Sequence, residues 1–418
     1  MSATHIDSIS TVASRLRPGM TVFVPGMSGE SVPFFEALQR SPAHAEGVTF
    51  VGIHYPGLNR DYLSLHASAR FRGYFMTPPL RKGLAEGRVD LMPLDYPGVL
   101  SDLESGVRID AVIVQVSPPD TAGLCSLGAS YDFAPSVWST AHLRIAHINP
   151  RLPRTRGSCA IRLQDCTHAF EADSDLPTLA REPVDATSER IAANVASLVP
   201  DGATLQFGIG RLQTAILSAL KTHRGLRVYS GMVTPGVLTL LEAGALASVP
   251  AVETGVALGD ASFYAQLHEH PAFYFRPVSE THDVRRLAAL PTFCAINSGL
   301  DVDLFGQVQA DHLDGRLIAG VGGLPAYCSG ARLSSGGRSI IALPSTAAGG
   351  RTSRITAGKR TSLVALRRHE ADYVVTEHGV ATLRSRSITE RARALIAIAA
   401  PEFRESLAAE WHEIQRSL

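Results

Sequence analysis

The chain has 418 residues, 45% of them hydrophobic and 19% charged, the make-up of a globular protein with a sizeable core and room for two domains of roughly 150 to 200 residues each. Its 39 Lys and Arg balance 39 Asp and Glu, so the formal net charge of +0 argues against a broad nucleic-acid or anionic-membrane surface. No apolar run approaches membrane-spanning length, and the opening stretch lacks the apolar core of a secretory signal. Cys125, Cys159, Cys166, Cys294 and Cys328 are scattered, with no C-x-x-C pair, which points to free thiols in a reducing cytoplasm and to no metal site.

The first half alternates strand-like runs with amphipathic helices. "MTVFVPG" (20–26), "VTFVGIHYPG" (48–57), "VDLMPLDYPG" (89–98) and "IDAVIVQVSPPD" (109–120) each end in a Pro/Gly turn, with helices expected over 32–41 and 78–87. Strands apolar on both faces and separated by helices predict a parallel sheet covered on both sides. Around 150–185 the pattern lapses into Pro- and charge-rich sequence, so a boundary is expected there, dividing the chain into 1–180 and 181–418. The same grammar then restarts: a helix over 188–202, the strand and glycine turn "ATLQFGIG" (203–210), a helix over 211–223, and the strands "LRVYSG", "CAINSGLDVDLFG", "RSIIALPS" and "YVVTEHG". The C-terminus reads as helical. The expected fold class is α/β, with two open-sheet domains facing each other across a cleft.

Three glycine-rich stretches could face a ligand. In "FGIGRL", Gly208 and Gly210 follow a strand and open a helix, but Gln213 stands where a dinucleotide fingerprint needs its third glycine. Such a turn still points backbone N–H groups at an anionic or carbonyl-like group. Gly320, Gly322 and Gly323 form one cluster, and Gly336 and Gly337 a second just before a strand. Glycine is required where φ is positive or a ligand must approach the backbone, so these two clusters suggest main-chain donors for a thioester oxygen, with turns around a hairpin as the alternative. "GKRTS" resembles half of a phosphate loop, but Arg360 replaces the required Ser or Thr; H-E-x-x-H and G-x-S-x-G are absent.

Several long ordered stretches carry a resemblance: "VSPPDTAGLCSLG" (116–128), "GATLQFGIG" (202–210), "INSGLDVDLFGQVQAD" (296–311), "GVGG" (320–323), "GARLSSGGRSIIALPST" (330–346), "DYVVTEHGVATLR" (372–384) and "ERARALIAIAAPEFR" (390–404). Over nearly its whole length the chain resembles the acetyl-CoA hydrolase/transferase family, in the class I CoA-transferase branch with 4-hydroxybutyrate and butyryl-CoA:acetate CoA-transferases. The resemblance implies two CoA-transferase-like domains, a CoA thioester as substrate with no covalently bound cofactor, a small carboxylate as second partner, and a homodimer or higher homo-oligomer. It also implies a glutamate nucleophile that forms an acyl anhydride and then a glutamyl-CoA thioester. The "GVGG" loop would hold the thioester oxygen.

The family keeps that nucleophile in a strand-end His-Ser-Glu-Met motif, and here the matching residues are Tyr229, Ser230, Gly231 and Met232. Other departures are Leu324, Pro325, Ala326 and Tyr327 after the "GVGG" loop, Arg211 and Gln213 after "GIG", His378 for the Tyr of "VTEYG", and Ala400 for a His. Two replacement groups follow a glycine turn or strand end of the N-terminal half: Glu30 as a general base toward water, and His54, expected to titrate near neutrality. Glu253 is a second carboxylate that a relocated transferase mechanism could use. Glu377 lies in the "VTE" motif and reads as structural, and Arg211 and Arg332 are candidate contacts for a carboxylate or phosphate. Three functions remain open: hydrolysis of an acyl-CoA without glutamyl-CoA, CoA transfer through Glu30 or Glu253, and acyl-CoA binding without turnover.

Overall fold

The computed structural model describes residues 6–180, 182–313, 315–358 and 363–418, so Arg360 and most of the "GKRTS" stretch lie outside the described residues. The chain divides into two units, Met1–Ala180 with Val252–Thr281, and Arg181–Ala251 with His282–Leu418. Both are α/β.

The first unit is built on a seven-stranded sheet. Its strands are β1 (Thr21–Phe23), β2 (Thr49–Gly52), β3 (Arg70–Gly73), β4 (Val89–Leu91), β5 (Ala111–Val116), β6 (Leu143–Ile148) and β7 (His168–Glu171). They lie in the order β4-β3-β2-β1-β5-β6-β7, all parallel. β5 is buried along its whole length, as a central strand covered on both faces must be. The order doubles back at β1, so the turns after β1 and β5 lie at a topological switch point, where open α/β sheets carry ligand-binding loops.

Sequence periodicity does not reveal one part of this unit. The parallel pair Val252–Ala257 and Phe273–Phe275 groups by its contacts with the first unit. The Tyr131 amide donates to Gly255 O at 2.9 Å, the Ala257 amide to Ala129 O at 2.8 Å, and the Phe275 amide to Arg156 O at 2.8 Å. Backbone pairing of this kind depends on which segment finds which edge. The local α/β pattern, which is the same throughout the chain, carries no such information.

In the second unit, strands β8 (Thr204–Phe207), β9 (Arg227–Val233), β10 (Phe293–Ser298), β11 (Arg338–Ala342), β12 (Tyr373–Thr376) and β13 (Gly379–Thr382) run in the order β9-β8-β10-β11-β12-β13. All are parallel except the closing β12/β13 hairpin. Three helices matter for the site: α1 (Arg211–Ala219) after β8, α2 (Val284–Ala289) before β10, and α3 (Leu324–Leu333) before β11. The N-terminus of α2 is fixed by Asp283, whose Oδ1 accepts from the Arg285 amide at 2.9 Å. α2 and α3 pack closely because Gly330 presents no side chain: a Cβ there would fall 2.4 Å from Leu287 Cβ. Beneath them Tyr229, Leu287, Phe293, Ala295, Tyr327 and Ala331 form a small buried cluster.

Candidate active site

Each unit gathers its own set of candidate groups. In the first unit, Glu30 follows a single 3-10 turn, Met27–Gly29, on the loop leaving β1. The loop is pinned against the one after β2 so tightly that a Cβ on Gly26 would lie 1.8 Å from the Ile53 carbonyl oxygen. Asn59 bridges the two loops: its Oδ1 accepts from the amides of Met27 (3.0 Å) and Tyr55 (2.9 Å), and its Nδ2 donates to Met27 O (3.2 Å). The Glu30 carboxylate ends in this bridge, accepting from Asn59 Nδ2 at 3.2 Å and from the Arg60 amide at 2.9 Å. Glu30 is 1% exposed, and burial pushes its pKa up to about 7 against the lowering effect of those two hydrogen bonds. A carboxyl titrating near 7 suits a general base at neutral pH.

His54 lies in the same neighbourhood but does not behave as expected. Its ring packs against Tyr62 (5.4 Å between centroids) and Phe71 (4.9 Å), and burial holds its pKa down at about 4. It is neutral throughout the physiological range. The expectation of a titration near neutrality is therefore corrected: the strand-end position is right, but the aromatic enclosure removes the charged form. Together with Asn59, Tyr62, Phe71 and Thr77 it lines a cavity of about 40 Å³.

In the second unit, Gly231 sits at the carboxyl end of β9. The register pairs Thr204 with Arg227 and Leu205 with Val228, which brings Ser230 beside Phe207, the last residue of β8. Ser230 Oγ donates to Phe207 O at 3.2 Å and to Met232 O at 2.9 Å. The space in front of Gly231 is filled. A Cβ there would lie 2.6 Å from His282 Cε1 and 2.8 Å from the Tyr327 hydroxyl, so two rings face the bare Cα.

The same imidazole meets the "GVGG" loop. A Cβ on Gly323 would fall 2.5 Å from His282 Nε2 and 2.8 Å from Tyr327 Cε2. Gly322 takes φ +59°, and Gly323 is the N-cap of α3, so the loop's amides precede a ten-residue helix. The His282 and Tyr327 rings lie 4.6 Å apart, and burial holds the His282 pKa at about 3. The fold thus joins Gly231 to Gly320–Gly323 through a residue that sequence reading missed. His282 sits in "SETHDV", which matches no motif; its one legible signal is a polar residue just ahead of a helix cap.

The remaining candidates are dispersed. Gly208 and Gly210 (φ +101°) form the turn from β8 into α1, at the same sheet edge as Gly231, with Gln213 the nearest side chain to Gly208. Gly336 and Gly337 lie at the amino end of β11, the opposite edge of a parallel sheet. Gly337 is required by close approach to the Ala331 carbonyl oxygen, 2.1 Å from where its Cβ would be, so this pair serves the helix-to-strand turn. Arg211 pairs with Asp185 at 3.1 Å, and Arg332 closes the last turn of α3. Glu253 is held by Arg276, which also pairs with Glu280 at 2.5 Å. Glu377 accepts from the Ser345 hydroxyl (2.7 Å) and amide (2.9 Å). Among the described residues no cluster of three or more His, Cys, Asp or Glu could hold a metal ion, and no helix is long and apolar enough to cross a membrane.

Comparison with known proteins identifies the class. Residues 5–177 match the acetyl-CoA hydrolase/transferase N-terminal domain and residues 259–411 the C-terminal domain. The 4-hydroxybutyrate coenzyme A transferase of Clostridium kluyveri is 35% identical over 393 residues, covering 92% of this chain and 91% of that protein. Among solved structures, 4-hydroxybutyrate CoA-transferase from Porphyromonas gingivalis aligns with a TM-score of 0.81 at 30% identity, over 99% of this chain and 98% of its own. RipA from Yersinia pestis aligns with a TM-score of 0.91 at 26% identity, over 98% and 97%. The chain belongs to the acetyl-CoA hydrolase/CoA-transferase family, and its substrate is a CoA thioester.

Proposed function

We propose that this protein cleaves an acyl-CoA thioester with water and forms no glutamyl-CoA intermediate. One observation carries the reading: at the strand end where the family places its nucleophile, residue 231 is a glycine and the adjoining volume is filled by His282 and Tyr327. That position has no carboxylate, and a side chain placed there would have to displace one or both rings. Glu253 is held in an ion pair with Arg276, and Glu30 is a carboxyl whose pKa, raised to about 7, suits accepting a proton.

In the proposed reaction the water oxygen bonds to the acyl carbon and gives up a proton to a general base. The amides of residues 320–323 stabilise the oxyanion, the C–S bond breaks, and the proton passes to the departing CoA thiolate. The free acid and CoA leave. Oxyanion donors of this kind are worth about 3 kcal/mol each in acyl transfer, so a barrier can fall appreciably without a covalent step.

A second reading, CoA transfer through Glu30 as a displaced nucleophile, is favoured by the names of the relatives that match most of the chain, such as 4-hydroxybutyrate coenzyme A transferase. Incubating the protein with a panel of acyl-CoAs, with and without acetate or succinate and with a borohydride-trapping arm, separates the two. The hydrolytic reading expects equal CoA release with and without acceptor and no trapped glutamate. New acyl-CoA species that require the acceptor would overturn it, and binding without turnover would favour a non-catalytic acyl-CoA-binding protein.

A further inference from the structure

We infer that His282 is a positioning residue for this chemistry: its ring, wedged between Gly231 and Gly323 and against Tyr327, holds the 320–323 amides in the geometry that meets a thioester oxygen. The inference rests on the hydrolytic reading and deepens it.

Three observations converge on the ring. Two glycines from stretches far apart in sequence, Gly231 and Gly323, turn their bare Cα atoms toward the same imidazole; a Cβ on either would lie 2.6 and 2.5 Å from its atoms. Those two positions therefore accept only glycine while His282 keeps its place. The ring is 4% exposed and packs against Tyr327, which is rooted in the first turn of α3 immediately after the "GVGG" loop. The segment carrying His282 is itself fixed, because Asp283 caps α2 and Leu287 of α2 packs into the notch at Gly330 of α3.

The ring therefore acts as a spacer between the end of β9 and the turn before α3. Gly322, at φ +59°, gives that turn no side-chain support of its own. Removing the ring leaves a void beside the turn, into which the amides can relax. Oxyanion donors act through their preset position relative to charge that develops only in the transition state, so a small displacement lowers kcat and leaves ground-state binding largely unchanged. The depressed pKa of His282 fits a role through shape, since a ring that stays neutral across the working range adds no titration of its own.

The test is a double-mutant cycle of Gly231→Ala and His282→Ala, read as CoA release from acetyl-CoA and butyryl-CoA, with thermal melting to confirm folding. His282→Ala is expected to lower kcat tenfold or more with KM within threefold of wild type and an unchanged shape of the pH profile. Gly231→Ala is expected to produce a comparable loss by pushing the ring aside, and adding it to His282→Ala to cost less than a further twofold. A His282→Ala kcat within twofold of wild type, a loss confined to KM, or fully additive losses would each overturn the inference. Wild-type protein that releases no CoA from either thioester overturns the hydrolytic reading instead. The cycle is then scored on the preference for a trifluoromethyl-ketone analogue of acetyl-CoA, whose hydrate presents an oxyanion, over free CoA in equilibrium binding: a weakened preference in His282→Ala supports the positioning role, and an unaltered one overturns it.

Discussion

Asn59 donates from Nδ2 to Glu30 Oε2 at 3.2 Å while its Oδ1 accepts from the Met27 amide at 3.0 Å, so one half-buried side chain fixes both the loop that carries Glu30 and the carboxylate itself. Among the described residues the carboxylate has two hydrogen-bond donors, Asn59 and the Arg60 amide, in place of a full hydration shell. Burial therefore prevails over hydrogen bonding, and the pKa rises from 4.5 to about 7.

That shift predicts how stability and activity respond to pH. The folded pKa lies above the unfolded one, so the stability linked to Glu30 is fully present below about pH 4.5 and lost as pH rises through about 7. The amount at stake is on the order of 3 kcal/mol. Asp132, also raised to about 7 by burial, contributes in the same window, so the wild-type profile alone does not isolate Glu30. Glu30→Gln does: denaturant unfolding is expected to show the variant gaining relative to wild type by about 2 kcal/mol between pH 5 and pH 8. A constant difference across that range would contradict the assignment. Activity should run the other way, with wild-type kcat/KM rising through about pH 7 as the base deprotonates and Glu30→Gln at least about 100-fold slower.

Placing a carboxylate at residue 231 is not expected to give transferase chemistry. In Gly231→Glu the new Cβ meets His282 and Tyr327 at under 3 Å, so overpacking should cost about 1–3 kcal/mol of stability. No acceptor-dependent transfer from acetyl-CoA to succinate should appear. Measurable transfer in this variant would mean that the rings yield easily and that the site is closer to a transferase than proposed.

Much of the scaffold was legible because parallel strands covered on both faces advertise themselves as apolar runs ending in Pro/Gly turns, as Thr21–Phe23 and Ala111–Val116 do. Gly231 stands out in the sequence only through the resemblance. The rings that face it do not, because His282 reaches Gly231 from the segment just before α2, which leaves no spacing signal in the chain. His54 failed in a related way: its position at a strand end is written in the sequence, but its protonation is set by Tyr62 and Phe71 closing around it. Gly336 and Gly337 looked like ligand-facing glycines because close approach of backbone to backbone and of backbone to ligand demand the same residue.

Glu253 offers a direct check on the relocated-nucleophile alternative. Its carboxylate is bound by Arg276, which Glu280 also holds. Glu253→Gln should lower stability by about 1 kcal/mol, since the pair is partly exposed and Arg276 retains one partner. kcat should stay within twofold of wild type in a CoA-release assay. A loss of a hundredfold or more without unfolding would identify Glu253 as the displaced carboxylate.

The last prediction concerns Gly26, where the loop after β1 crosses the one after β2. A methyl group there would overlap the Ile53 carbonyl oxygen at 1.8 Å, and the obstacle is backbone that no rotamer change can relieve. The loops must separate, which pulls Met27 away from Asn59 and loosens the grip of Asn59 on Glu30. Gly26→Ala should therefore destabilise the fold by about 2 kcal/mol or more. It should also admit water to Glu30, so the apparent pKa of the activity profile is expected to move down toward the ordinary carboxylate value. Melting and a pH–rate series on the same preparation test both effects. A destabilised protein whose profile still turns over near pH 7 would show that the loop crossing serves stability alone and does not tune the carboxyl.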